Sequence, residues 1–159
     1  MTASGYITRA CAGAAIMASF LTIGSIAHDA KMEALEAANI KKAIYCMDLL
    51  ENKLDVDKAA EECFGEPYIQ HHPRLEDGRD AVIALFRARA KKYPHYSAHI
   101  VRSSASGDLV WLHMHVKRSP EERGGAAVNI FRMKDGKMVE HWGVAMPVPE
   151  TSKNDNGMF

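Results

Sequence analysis

The sequence predicts an α+β domain in which three helices are followed by an antiparallel sheet. Apolar residues recur at helical spacing up to Lys92, and from Tyr96 onward they alternate as in strands. Asp135-Gly136 between the last two alternating runs is a strong hairpin signal. A length of 159 residues suits a single domain. Helices followed by a strand meander make an α+β order rather than a βαβ array.

Each element has its own signal. From Asp29 to Asn52, Leu35, Ala38, Ala43, Met47 and Leu50 form a helical stripe with Lys and Glu between them. Asp55-Val56-Asp57 can cap a second, shorter helix that runs through Cys63, and Gly65 with Pro67 should stop it. Tyr68 to His72 reads as a short extended piece ended by Pro73. Arg79 to Lys92 reads as a third helix, with Val82, Ile83, Leu85 and Phe86 along one side and Pro94 beyond its end. Tyr96–Ser104, Asp108–Arg118, Ala126–Met133 and Met138–Met146 read as strands. The tail from Pro147 to Phe159 is polar and extended, and its final Met-Phe could pack on a neighbour.

Composition bounds the function. The chain is 47% hydrophobic and 25% charged, as folded proteins are. Twenty basic and twenty acidic side chains give no net charge, so no basic face is expected to draw in nucleic acid. The same balance favours self-association. Arg9 precedes an apolar run from Ala10 to Gly24, and Ser25-Ile26-Ala27 offers a small-x-small exit. Residues 1–27 therefore read as a secretory signal cleaved after Ala27, which places the domain, residues 28–159, in a periplasmic or secreted setting without a membrane anchor. Removal of Arg9 leaves 19 basic against 20 acidic side chains, a formal charge of −1. Cys46 and Cys63 lie at similar distances from the turn around Leu54, so they are either a disulfide or two buried thiols.

Strands send alternate side chains to opposite faces. Trp111, His113 and His115 share one face of their strand; Ala127, Asn129, Phe131 and Met133 share one of the next; Val139, His141, Gly143 and Ala145 share one of the last. One consistent assignment gathers His113, His115, Asn129, Phe131 and His141 on a single concave surface, an apolar pocket with a few polar groups aimed inward. Histidine is suited to moving protons near neutral pH. His71 and His72 end the extended piece, where one could reach the pocket mouth and the other solvent. Trp142 has parity opposite to His141, which suits packing or a dimer contact. Tyr45, Tyr68 and Tyr96 could each reach a pocket. A second reading lets His113, His115, His141 and one of His71 or His72 converge on a zinc-like ion, although no acidic cluster and no metal-ligand spacing accompanies them. The sequence has no phosphate-cradling glycine loop, no dinucleotide fingerprint and no nucleophile elbow.

Tyr68-Ile69-Gln70-His71-His72-Pro73 followed by Asp77-Gly78-Arg79, with the ending Phe131-Arg132 to Asp135-Gly136-Lys137-Met138-Val139-Glu140-His141-Trp142 and then Pro147-Val148-Pro149-Glu150-Thr151, resembles the SnoaL-like polyketide cyclase family. The similarity runs from about Leu35 to Phe159. It implies the cone-shaped fold shared with nuclear transport factor two (NTF2) and ketosteroid isomerase, with helices capping a strongly bent sheet. It also implies a homodimer and cofactor-free proton chemistry: aldol cyclisation, isomerisation, dehydration or hydrolysis of an apolar carbonyl compound.

Two positions depart from the family pattern. The family usually has a carboxylate at each of the positions held here by Asn129 and Gly143, and an amide cannot take up a proton as a carboxylate does. On this reading His113 and His141 carry the acid–base work, and Asn129 donates a hydrogen bond to a developing oxyanion. His115, Phe131, His72, Tyr68 and Gly143 would line the substrate, with Gly143 widening the pocket. The alternative is a non-catalytic domain that binds a small molecule.

Overall fold

The computed structural model describes the backbone of residues 12–159 and the side chains of residues 27–159. The chain divides into a leading unit that ends at Ala34 and a second unit, Leu35–Phe159, which holds the sheet. The signal-peptide expectation falls largely on residues whose side chains lie outside this description, and Met1–Cys11 lie outside it altogether. No helix among the described residues is long and apolar enough to cross a membrane.

The first helix, α1, spans Ala12–Glu51, so helical structure begins well before the Asp29 start that the polar spacing suggested. In its last turns Ala43, Cys46, Met47, Leu49 and Leu50 are buried. The Asn52 amide then ties the helix end to the sheet: Oδ1 accepts from the Ala98 N–H at 2.8 Å, and Nδ2 donates to the Ala98 carbonyl at 3.1 Å. A short helix α2, Val56–Glu62, is capped by Asp55, whose carboxylate accepts from the Lys58 N–H. Cys46 and Cys63 are joined as a disulfide with Cα atoms 5.7 Å apart, which settles the two open readings of that pair.

Strand β1, Phe64–Gln70, follows α2 directly. Gly65 and Pro67 therefore sit inside a strand rather than in a helix stop, and His71 and His72 lie just past its end. Proline is tolerated there because β1 is the edge of the sheet. Helix α3, Arg79–Lys92, leads to β2 (Ser97–Ser106), β3 (Leu109–Lys117), β4 (Gly125–Lys134) and β5 (Lys137–Pro147).

The sheet order is β1-β5-β4-β3-β2. The last four strands form the expected antiparallel meander, while β1 adds parallel to β5, so the sheet is mixed rather than wholly antiparallel. The five strands stay open, with α2 and α3 adjoining β1. Val110, Leu112 and Met114 of β3, with Met138 of β5, are fully buried and form the floor of the core beneath Leu50 and Phe64. The unit Leu35–Phe159 is the α+β cone that the sequence predicts.

The register decides which residues share a face. Leu112 stands opposite Asn129, Val110 opposite Phe131 and Met114 opposite Ala127. In turn Asn129 faces Gly143 and Phe131 faces His141. Directly opposed residues lie on one face, so the inner face carries Leu112, Asn129, Phe131, His141 and Gly143. His113 and His115 face outward, contrary to the assignment that grouped them with Asn129 and His141. The reason is burial: the apolar half of β3 fills the core, and the imidazoles take the opposite side.

Candidate functional site

A cavity of about 190 Å³ opens between the inner face of the sheet and the helices. Its apolar wall includes Met47 and Leu50 from α1, Val82 and Phe86 from α3, and Phe131 and Met138 from the sheet. Ligand sites are typically concave, mostly apolar and set with a few polar groups, and this one has two such groupings.

The first lies on the strands. Gln70 at the end of β1 stands in register with His141 of β5. The His72 N–H donates to Gln70 Oε1 at 3.0 Å, which fixes the orientation of that amide. His141 Nδ1 lies 2.9 Å from the same oxygen, and His141 Nε2 lies 2.9 Å from Asn129 Oδ1. Phe131 stacks on the imidazole with centroids 5.0 Å apart. Burial, followed by the charges of His72 and His71, pushes the His141 pKa down to about 4, so the ring is neutral at pH 7.

Gly143 makes this contact possible. A Cβ built there would stand 3.0 Å from His141 Cε1 and 3.1 Å from Asn129 Oδ1. The space left by the missing side chain is thus filled by the His141–Asn129 pair rather than added to the ligand volume.

The second grouping lies on the helices. Glu51, the last residue of α1, is only 4% exposed. Arg89 of α3 donates through Nη2 to Glu51 Oε1 at 2.9 Å and through Nη1 to the Tyr96 hydroxyl at 3.3 Å. The Arg89 guanidinium also packs over the rings of Phe86 and Tyr96, at 4.3 and 4.6 Å. Burial pushes the Glu51 carboxyl above the usual carboxylate range, against the pull of Arg89. Burial also raises the phenols of Tyr68 and Tyr96, the latter to about 12, so both stay protonated at neutral pH.

Of the residues singled out in the sequence, Tyr68, His72, Tyr96, Asn129, Phe131, His141 and Gly143 line this cavity. His113 and His115 do not. His113 Nδ1 is 3.1 Å from Arg102 Nη1 on the outer face. His115 Nε2 is 2.7 Å from the Arg123 carbonyl oxygen, and the ring stacks on Phe159 at 4.2 Å. Neither can act on a molecule held inside the sheet, and neither can join His141 at a shared metal ion. Among the described residues no group of three or more His, Cys, Asp or Glu side chains is placed to hold one. Of the other residues considered for the pocket, Tyr45 donates to Glu62 at 2.6 Å, away from the cavity, and His71 stacks on Trp142 at 4.6 Å.

The sequence reading missed Glu51, Arg89 and Gln70. A signal for Glu51 was present: it follows Met47 by four residues and so continues the buried stripe of α1. Arg89 and Gln70 carried no comparable mark, because their placement depends on how α3 and β1 pack.

No curated protein matches this sequence. Solved structures match its fold. TsrD from Streptomyces laurentii superposes with a TM-score of 0.55 at 18% identity, covering 68% of this chain and 88% of its own. An LEH-like epoxide hydrolase of M. tuberculosis gives 0.55 at 15% identity, covering 70% and 84%. An NTF2-like protein of unknown function from Cytophaga hutchinsonii gives 0.56 at 13% identity, covering 69% and 90%. Residues 46–141, more than half of the chain, match the family model of the SnoaL-like domain. That stretch begins at the disulfide cysteine of α1 and ends on His141 in the cavity wall, and the chain belongs to the SnoaL-like domain family.

Proposed function

We propose that the domain binds a small, largely apolar carbonyl compound in this cavity and catalyses proton transfer on it, in the range of aldol cyclisation, isomerisation, dehydration or hydrolysis. The observation that carries the reading is the polar chain Gln70–His141–Asn129 set into an otherwise apolar wall. Such groups, fixed before a ligand arrives, are suited to stabilising charge that develops on a carbonyl oxygen. The volume limits the ligand: about 190 Å³ is roughly six water volumes, below the ~300–1,000 Å³ of drug-sized pockets. A compound of one or two small rings suits it. The chemistry draws on the cavity's own side chains and needs no cofactor.

One observation favours a second reading, a domain that binds without catalysis. Both nitrogens of His141 already have protein partners, and the strand positions Asn129 and Gly143 offer no carboxylate.

The two readings separate in deuterium oxide with cyclohexanone and 1-indanone as probes, following exchange at the carbon next to the carbonyl by NMR. A rate that saturates with ketone and exceeds that of free imidazole at equal concentration is expected. Binding without exchange above the imidazole rate would leave only the second reading.

We place the mature domain in the periplasm or outside the cell, a setting that suits the Cys46–Cys63 disulfide. We also place it as a homodimer, supported by Val144 and Met146, which stand 70% and 57% exposed near the end of β5. The native mass of the exchange sample tests this, a single-chain mass counting against it.

A further inference from the structure

Two buried polar atoms have no hydrogen-bond partner among the described residues: Glu51 Oε2 and Gln70 Nε2. Both belong to residues that line the cavity. A buried polar atom left unpaired costs free energy, and in a site it marks where a ligand atom completes the bond. Here the two are complementary. Oε2 of a carboxylate accepts a hydrogen bond or a proton, and Nε2 of an amide donates.

The neighbouring groups narrow the roles. Arg89 occupies Oε1 of Glu51, the Tyr96 hydroxyl stands beside the same carboxylate and pulls its pKa down as Arg89 does, and Oε2 keeps no hydrogen bond of its own. The His72 N–H and His141 hold Oε1 of Gln70 and leave Nε2 free. Both His141 nitrogens lie 2.9 Å from amide oxygens, and the neutral ring donates from one of them alone, so it makes a single hydrogen bond to Gln70 or Asn129 while neither nitrogen faces open space for a ligand.

We propose that Glu51 is the proton-transferring group of the cavity and that Gln70 Nε2 holds the ligand's carbonyl oxygen. This deepens the proton-transfer reading above and rests on it. The carboxylate that the strand positions lack is supplied instead from the end of α1. In the forward step Glu51 Oε2 takes a proton from the carbon next to the carbonyl. The electrons of the broken C–H bond form a C=C bond, the carbonyl π pair moves onto oxygen, and that oxygen accepts from Gln70 Nε2–H. Return of the proton to the same or another carbon regenerates the carboxylate, so no co-reactant is consumed.

The ligand class follows: an apolar body with one carbonyl oxygen and an acidic C–H on the side facing α1. The raised carboxyl of Glu51 suits this role, since a base works best with a pKa nearer the working pH. The charged and titratable groups around it are Arg89 of α3 and Tyr96 ahead of β2, with Tyr68, His72 and His141 elsewhere in the cavity wall.

The test uses the full chain and the two ketones. Glu51→Gln, which keeps the shape of the side chain, is expected to lower exchange by about 100-fold or more, the usual scale for loss of a general base. Glu51→Asp should recover part of it, and His113→Ala on the outer face should match the parent. Exchange retained in Glu51→Gln overturns the proposal. Because loss of the charge opposite Arg89 could unfold the variant, the parent protein is also read directly, with ¹³C-carboxyl-labelled glutamate and 1-indanone. Bound ketone should move the titration of the Glu51 resonance; a bound ketone that leaves it unmoved overturns Glu51's role alone. Absence of both binding and exchange for either ketone overturns the underlying reading as well.

Discussion

His141 shows how one side chain is set by three elements. Its ring lies over the bare backbone of Gly143, stacks on Phe131 and is bracketed by amides from β1 and β4. Burial keeps it neutral, and that has a consequence for stability. With its pKa lowered from 6.5 in the unfolded chain to about 4 in the fold, the unfolded state binds the extra proton between those values. Stability contributed by the neutral ring is present above pH 6.5 and is lost as pH falls toward 4. At 1.36 kcal/mol per pH unit the loss amounts to about 3 kcal/mol. Glu51 works in the opposite direction, its raised carboxyl favouring the fold at lower pH. The comparison is therefore made between the parent and His141→Gln by urea unfolding at pH 7 and pH 4.5. The parent should lose more stability than the variant; equal losses would show that His141 is not held neutral.

The chemistry-bearing residues were only partly legible at this scale. Asn129, Phe131, His141 and Gly143 could be placed together because alternation within β4 and β5 and the short Asp135-Gly136 turn fix their register. For Glu51 spacing and type disagreed: it continues the buried stripe of α1, yet a lone glutamate at a helix end reads as solvated, and Arg89 reaching from α3 supplies the partner that lets it be buried.

At the scale of elements, β3 shows where pattern reading stopped. Alternation correctly separated Trp111, His113 and His115 from Val110, Leu112 and Met114. It did not say which set faced the core. The connection from Arg118 to Gly124 is long enough to allow either register against β4, and a slip of one residue exchanges the two faces. Three consecutive inward positions filled by Val, Leu and Met carry more apolar surface than Trp, His and His, and all three are fully buried. Weighing the two sets by hydrophobicity would have found the answer. Similarly, the parallel pairing of β1 with β5 joins segments far apart in sequence, which no local signal reveals.

The junction of α1 and α2 carries a second testable feature. The disulfide closes a 17-residue separation, and both sulfur-bearing residues are fully buried. A loop of about 15 residues gives a stabilisation of about 3 kcal/mol through restriction of the unfolded chain. Cys46→Ala combined with Cys63→Ala should lower the urea midpoint accordingly. Cys46 lies five residues before Glu51 on the same helix, so the bridge anchors the segment of α1 that carries the carboxylate. An unchanged midpoint would mean that packing alone fixes the α1–α2 corner.

For the folded unit Leu35–Phe159, two surfaces of the sheet serve different ends. The inner face, with the helices, makes the cavity; the outer face carries the tryptophans, His113, His115 and the closing Phe159. The fold class was legible from the sequence because the change of period, the hairpin signal and the order of elements agree with one another. The division of labour between the faces was not, since it depends on register. The methionines report on both faces: Met138 lies in the cavity wall, and Met146 stands exposed near the end of β5.

The most direct test of the central claim is therefore a methyl NMR spectrum of the full chain labelled at its methionine methyl groups, recorded as 1-indanone is added. Occupation of the cavity predicts saturable movement of the Met138 resonance while Met146 stays in place. Movement of Met146 alone, or of neither, would contradict the assignment of this cavity as the ligand site.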